Sequence, residues 1–238
     1  MKTVAIIPAR LASTRLPRKM LRQIAGKALV GWVYEAVRSS QMLADVIIAT
    51  DSAEILEVCR RHNWKAQMTS ADHRSGTERV HEISNSIAAD VYVNVQGDEP
   101  LVRPEQIATL LEVMKERAQV GTVKTPCPPE DISNPNAVKV VTAPDGRALY
   151  FSRATIPFDR DGAHPRYFKH LGLYAYRKPA LDIFVSQPES LLEKSERLEQ
   201  LRFLENGIAI YVGETLYDSV GVDTEEDLKR VAEILRKR

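Results

Sequence analysis

The chain has 238 residues, 33 basic and 32 acidic, for a formal net charge of +1. That length suits one large domain, or one domain with an inserted lobe, and the balanced charge excludes a global electrostatic grip on nucleic acid or an anionic membrane. Two cysteines, Cys59 and Cys127, are too few for a disulfide scaffold or a cysteine-rich zinc site. No segment approaches the roughly 20 apolar residues of a membrane span, and the opening "MKTVAIIPAR" lacks a secretory apolar core, so a reducing cytoplasmic setting is expected.

In chain order, "TVAIIP" is a short apolar run ending in proline, as in a buried parallel strand. "ALVGWVYEAVRSS" places Leu29, Trp32, Val33, Ala36 and Val37 on one helical face. "DVIIAT" is a strand, "SAEILEVCRRHN" a helix with Ser52 as N-cap, and "KAQMT" a short strand. "GTERVHEISNSIAA" reads as a helix and "DVYVNVQ" as the most strand-like run of all. "RPEQIATLLEVMKERA" is a helix opened by proline, with Ile107, Leu110, Leu111 and Met114 recurring at helical spacing. This alternation predicts a doubly wound parallel sheet. The rhythm then breaks at the loop "CPPEDISNPN". "AVKVVTAPDGRALYFSR" reads as two strands around the turn "PDG", so a β-rich lobe begins near Asn134 and continues through "KHLGLYAYR". "ESLLEKSERLEQLRFLENG" reads as one helix stopped by Gly207, "IAIYV" as a strand, and "DTEEDLKRVAEILRKR" as the last helix.

Ligands of open parallel sheets collect beyond the carboxyl ends of the strands, and three polar clusters fall there. After the first strand, Arg10, Ser13, Thr14, Arg15 and Lys19 offer forked donors, hydroxyls and an ammonium to a phosphate chain. Neither glycine-rich nucleotide motif is present, and a solvated basic loop is the plain alternative. After "VYVNV" comes "QGDEP", where Asp98 suits Mg²⁺ held against phosphate oxygens but equally suits an ordinary turn. Asp223 also follows a strand-like segment; its alternative role, capping the last helix, falls equally to Thr224. In "DHRSGTER", Ser75, Gly76 and Thr77 open a helix whose free N–H groups suit a nucleotide, or simply cap that helix. The five histidines lack metal-ligand spacing. His170 alternates with Gly172 and Tyr174 on a strand face and reads as a core histidine, and Glu199 and Gln200 as surface positions of a helix.

The segments "IPARLASTRLP", "TSADHRSGTERV", "VNVQGDEP", "NPNAVKVV", "ALYFSRATIP", "KHLGLYAYR", "LEQLR" and "GVDTEEDL", in this order over essentially the full length, resemble the 3-deoxy-manno-octulosonate cytidylyltransferases (CMP-Kdo synthetases) of the nucleotide-diphospho-sugar transferase superfamily. The resemblance implies a Rossmann-like three-layer α/β/α fold with a mixed, mainly parallel sheet. It implies one nucleotidyltransferase domain over residues 1–238, with an inserted sugar-binding and dimerisation lobe at about 130–205, and a homodimer. The implied reaction is CTP + Kdo → CMP-Kdo + diphosphate, with Mg²⁺, in lipopolysaccharide biosynthesis. By matching motif, Arg10, Arg15 and Lys19 would hold the triphosphate, and Ala9, Ser75 and Gln96 would line the cytosine and ribose pocket. Asp98 and Asp223 would bind the metal and, with Lys19, carry catalysis. Arg79, Ser152, Arg153, His170, Tyr174, Glu199 and Gln200 would hold the sugar. One departure stands out: the family loop "LPGKPL" is here "LPRKML", with Arg18 for glycine and Met20 for proline. A sister enzyme acting on 8-amino-3,8-dideoxy-octulosonate shares most of these motifs. Acylneuraminate cytidylyltransferases open closer to "IPARGGSKGIP", against "ASTRLP" here. A catalytically silent nucleotide-binding protein would need neither Lys19 nor the two aspartates.

Overall fold

The computed structural model describes residues 1–13, 15–115 and 118–236; Thr14 lies outside them. The first strand is β1 (Thr3–Pro8), followed by the hairpin β2 (Gln23–Ile24) and β3 (Lys27–Ala28), then α1 (Leu29–Arg38), β4 (Asp45–Thr50) and α2 (Ala53–Arg61). Next come β5 (Ala66–Met68), α3 (Gly76–Ser86), β6 (Val91–Asn94) and α4 (Pro104–Val113). The middle of the chain holds β7 (Val120–Pro126), β8 (Lys139–Thr142), β9 (Ala148–Ser152) and β10 (Phe168–Tyr176). It ends with α5 (Lys178–Ser186), α6 (Leu191–Glu196), α7 (Leu201–Glu205), β11 (Ile210–Glu214) and α8 (Glu225–Arg236). The chain separates into two units, residues 1–107 with 219–238, and residues 108–218.

In the first unit β6, β1, β4 and β5 pair in that order, all parallel. Val4 to Ile7 of β1 are wholly buried, as a strand covered on both faces requires. The chain moves from β1 outward to β4 and β5, then returns to the other side of β1 as β6. Right-handed crossovers therefore set α1 and α2 on one face and α3 on the other, the three layers expected. The reversal of direction lies between β1 and β6, so the loops after these two strands flank the switch point. Ser52 caps α2 by accepting from the Ile55 N–H, as its sequence position predicts.

The second unit is mixed. β11 runs parallel to β7, β10 antiparallel to β7, and β8 and β9 form an antiparallel pair beside β10. Gly172 and Leu173 form a bulge in β10 opposite the step from Val123 to Thr122. Two extra residues preserve the parity of the strand, so His170 and Tyr174 keep a shared face, their ring centroids 5.3 Å apart.

Three expectations change. "ESLLEKSERLEQLRFLENG" is two helices, α6 and α7, because Arg197 turns into the left-handed region at φ 55°. The reason is tertiary: the buried Arg202 guanidinium grips Glu193 with both prongs, at 2.7 and 2.6 Å. In one continuous helix those residues would stand about 13 Å apart along the axis. Gly207, at φ 73°, still follows the end of α7. Helix α5, not foreseen, carries Pro179 in its first turn and buries Leu181 and Phe184. Helix α4 ends at Val113, short of the predicted stretch, of which Glu116 and Arg117 lie outside the described residues.

Candidate active site

A small apolar cluster in the first unit positions the polar loops. Leu16 of the opening loop, Leu101 just after "QGDEP", and Val222 beside Asp223 bury together with Leu29, Leu228 and Val231. Each such side chain contributes about 1.5–3 kcal/mol on burial, more than the 0–1 kcal/mol of an exposed ion pair. Apolar burial, not charge, thus sets where these loops lie. A backbone bond from Val222 N–H to the Asp98 carbonyl, 2.9 Å, ties the two aspartate-bearing segments directly. Gly97 is required here, since a Cβ would come within 2.7 Å of the Pro8 carbonyl oxygen and 3.0 Å of the Met20 sulfur. Met20, one of the two departures from the loop pattern, is packed into that gap.

On this support Lys19 Nζ lies between two carboxylates, bonded to Asp98 Oδ2 and, at 3.0 Å, to Asp223 Oδ1. Arg15 reaches the other oxygen of Asp223 at 3.0 Å. The Lys19 side chain is only 10% exposed, against 26% for Asp98 and 43% for Asp223. Burial pulls the Lys19 pKa down, but the charges and hydrogen bonds of Asp98 and Asp223 outweigh it and hold the pKa above its ordinary value. Asp223 is free for this role because Thr224 does the capping: its hydroxyl accepts from Asp227 N–H while Asp227 accepts from Thr224 N–H.

These residues open on a cavity of about 220 Å³, also lined by Arg10, Ser75, Arg79 and Gln96. Ser75 is the N-cap of α3, its Oγ accepting from Glu78 N–H at 3.2 Å. Both readings of Ser75 therefore meet in one residue, a cap that also faces the cavity. Ala9 is buried with its N–H given to the Ala49 carbonyl at 2.8 Å, and its neighbours Pro8 and Arg10 do the lining. Arg79 lines the cavity while its guanidinium is pinned to Asp51, Thr69 Oγ1 and the Ser70 carbonyl. His73 and Arg74, to which the sequence assigns no role, also line it. His73 is oriented by Glu82, a partner nine residues on that only the folded α3 brings near. Asn94 at the end of β6 keeps a fully buried carboxamide without a hydrogen-bond partner among the described residues, a costly arrangement two residues before Gln96.

Arg18 lies apart from the cations that line the cavity. Its backbone is left-handed, at φ 56° and ψ 35°, just before the short 3₁₀ turn Lys19–Leu21. Its guanidinium pairs with Glu54 in the first turn of α2.

The remaining predicted residues belong to the second unit. His170 is packed against the rings of Phe151 and Tyr174, and burial pushes its pKa down to about 3. Thr122 Oγ1 donates to the Leu173 carbonyl at 2.8 Å, so it accepts from His170 Nε2–H at 3.0 Å and leaves Nδ1 as an acceptor. Ser152 Oγ donates to Glu196 at 2.6 Å, and Arg153 is fastened by Glu196, Pro135 and Arg197 oxygens. Glu199 and Gln200 sit in the break between α6 and α7, with Gln200 buried at 3% exposure instead of on a helix surface.

Comparison with known proteins places these observations. The Cytidylyltransferase family model matches residues 4–210. A 3-deoxy-manno-octulosonate cytidylyltransferase of Koribacter versatilis is 67% identical over 100% of this chain and 91% of its own length. The enzyme of that name from Acidobacterium capsulatum is 55% identical over 100% of this chain and 98% of its own. Among solved structures, a CMP:2-keto-3-deoxy-manno-octonic acid synthetase complexed with CTP superposes with a TM-score of 0.96. It is 40% identical and covers 100% of this chain and 99% of its own.

Proposed function

The chain belongs to the cytidylyltransferase family, and from that premise we propose that it transfers CMP from CTP to 3-deoxy-D-manno-octulosonate (Kdo), releasing diphosphate. The observation that carries the reading is the convergence of Arg15, Lys19, Asp98 and Asp223 on one point beside the β1–β6 switch.

The anomeric C2 hydroxyl of Kdo attacks the α-phosphorus of CTP. A new oxygen–phosphorus bond forms as the bond to the β-phosphate oxygen breaks, and the hydroxyl gives up its proton. No protein nucleophile is required, because the attacking oxygen belongs to the sugar. Arg10, Arg15 and Lys19 supply fixed positive charge to the triphosphate, most valuable where charge grows on the departing diphosphate. Ser75 and Gln96 line the nucleoside end. Asp98 and Asp223 would hold Mg²⁺. Their oxygens already meet at one cationic centre, and Mg²⁺ takes one or two carboxylates with substrate phosphates and not a full protein cage. That pairing suits a region where, among the described residues, no group of three or more His, Cys, Asp or Glu forms a metal cluster. Bound there, Mg²⁺ would neutralise phosphate charge and lower the hydroxyl pKa.

The sugar is assigned to Arg79, Ser152, Arg153, His170, Tyr174, Glu199 and Gln200. With its pKa near 3, His170 is neutral at physiological pH, so it would read a sugar hydroxyl and not neutralise the acid group. The inserted lobe carries Leu149, Phe158 and Leu191, each more than half exposed, which supports a homodimer built through it. No helix among the described residues is long and apolar enough to cross a membrane. The proposed setting is the cytoplasm, where the product feeds lipopolysaccharide assembly.

Diphosphate release with CTP plus Kdo, CTP plus the 8-amino analogue, and CTP alone tests this reading. Release that needs both CTP and Kdo, and stops on chelation of Mg²⁺, is expected. Preference for the 8-amino sugar would reassign the substrate, and silence with both sugars would overturn the reaction.

A further inference from the structure

Lys19 occupies the position between Asp98 and Asp223 toward which a metal ion would be drawn. Its ammonium bonds one oxygen of each carboxylate, and Arg15 takes the second oxygen of Asp223. The lysine is fixed from behind: the 3₁₀ turn Lys19–Leu21 is closed by Leu21 N–H on the Arg18 carbonyl and Arg22 N–H on the Lys19 carbonyl. Two cations at contact distance from the same oxygens repel each other strongly in a partly buried setting. A metal cannot enter this arrangement while the ammonium remains.

From this geometry we infer that Lys19 acts as a resident stand-in cation, which excludes a divalent ion from Asp98 and Asp223 until the triphosphate draws the lysine away. The inference rests on the assignment of these two aspartates to the metal. It adds an order of events that the assignment does not contain. The phosphates of CTP offer Lys19 and Arg15 new anionic partners, and the released carboxylates then accept the ion. Metal and nucleotide affinities are thereby coupled, each raising the other by the same factor.

The test is Mn²⁺ binding to the nucleotide-free protein, followed by electron paramagnetic resonance of the free ion, a readout independent of turnover. Wild type should bind Mn²⁺ alone weakly, and Lys19→Gln, which keeps a polar group but removes the charge, should bind it about tenfold or more tightly. Lys19→Arg, which keeps the charge, should stay as weak as wild type. Adding Asp98→Asn to Lys19→Gln should abolish the gain. Unchanged or weaker Mn²⁺ binding by Lys19→Gln, while Mn²⁺ uptake in the CTP complex stays sensitive to Asp98→Asn, overturns the exclusion alone. A gain that survives Asp98→Asn and Asp223→Asn overturns the metal assignment, and the exclusion with it. Should Lys19→Gln fail to fold, wild type remains decisive: nucleotide-free Mn²⁺ binding as tight as in the CTP complex overturns the proposal.

Discussion

Two buried lysines, one in each unit, show how differently a fold can house the same ammonium group. Lys19 is held by two carboxylates on loops, and its pKa is raised because their charges outweigh the cost of burial. Lys139, with no exposed surface, donates to three backbone carbonyls, those of Asn134, Ala137 and Arg153. Burial pulls its pKa down, and the neighbouring charges of Asp131 and Glu196 do not offset it. The carbonyls are fixed parts of the chain, so Lys139 clamps the loop before β8 to the end of β9. The carboxylates can change partners, so Lys19 belongs to a site. Both are buried lysines; the nature of the acceptors separates the one proposed for the nucleotide site from the one that braces the fold.

The largest effect should come from removing an acceptor in the first unit. Asp98→Asn is expected to lower kcat about a hundredfold or more while circular dichroism and Tm stay close to wild type, since the side chain is partly exposed and its loop is anchored by the apolar cluster around Leu16, Leu101 and Val222. Asp223→Asn should behave alike. Near-normal turnover in both variants with Mg²⁺ would break the contrast by making the Lys19 cluster structural.

Lys139→Met should give the opposite pattern. The methionine fills most of the space but leaves three carbonyls without a donor, costing about 3 kcal/mol. In a chain of this size that corresponds to a fall in Tm of roughly 6–12 °C. The CTP KM should not move. An unchanged Tm would show that the clamp is dispensable.

The same contrast accounts for what the sequence reveals. Strands and helices whose reasons are local read directly: the apolar run of β1, the Ser52 cap of α2, and the Thr224 cap that leaves Asp223 free. Asp98, Lys19 and Arg15 are legible because their loops follow β6 and β1, whereas no strand leads directly into Asp223, which lies nine residues past the end of β11; only folding shows that Lys19 bridges the aspartates. What escapes is set by distant partners. The break between α6 and α7 follows from the Glu193–Arg202 pair folding back on itself, while the amphipathic pattern runs on without interruption. Gln200, an apparent surface residue, is buried by that break. The fixed orientation of His73 depends on Glu82, and no spacing rule advertises such a pair.

Arg18 supplies the smallest expected effect and the finest test of which cations belong to the site. Its left-handed backbone, at φ 56°, explains why glycine suits the position: an L-residue there costs about 1–2 kcal/mol. Arg18→Gly removes that strain but adds about 0.4–1 kcal/mol of unfolded-chain entropy and loses the exposed pair with Glu54, worth about 0–1 kcal/mol. These contributions nearly cancel, so stability should change by no more than about 1 kcal/mol, or about 2–4 °C in Tm. Because the guanidinium is engaged with α2 and does not line the cavity that holds Arg10, Arg15 and Lys19, the CTP KM should stay within about twofold. A rise of about tenfold would mean that Arg18 leaves Glu54 for the triphosphate, and the loop would then contribute four cations to the nucleotide instead of three.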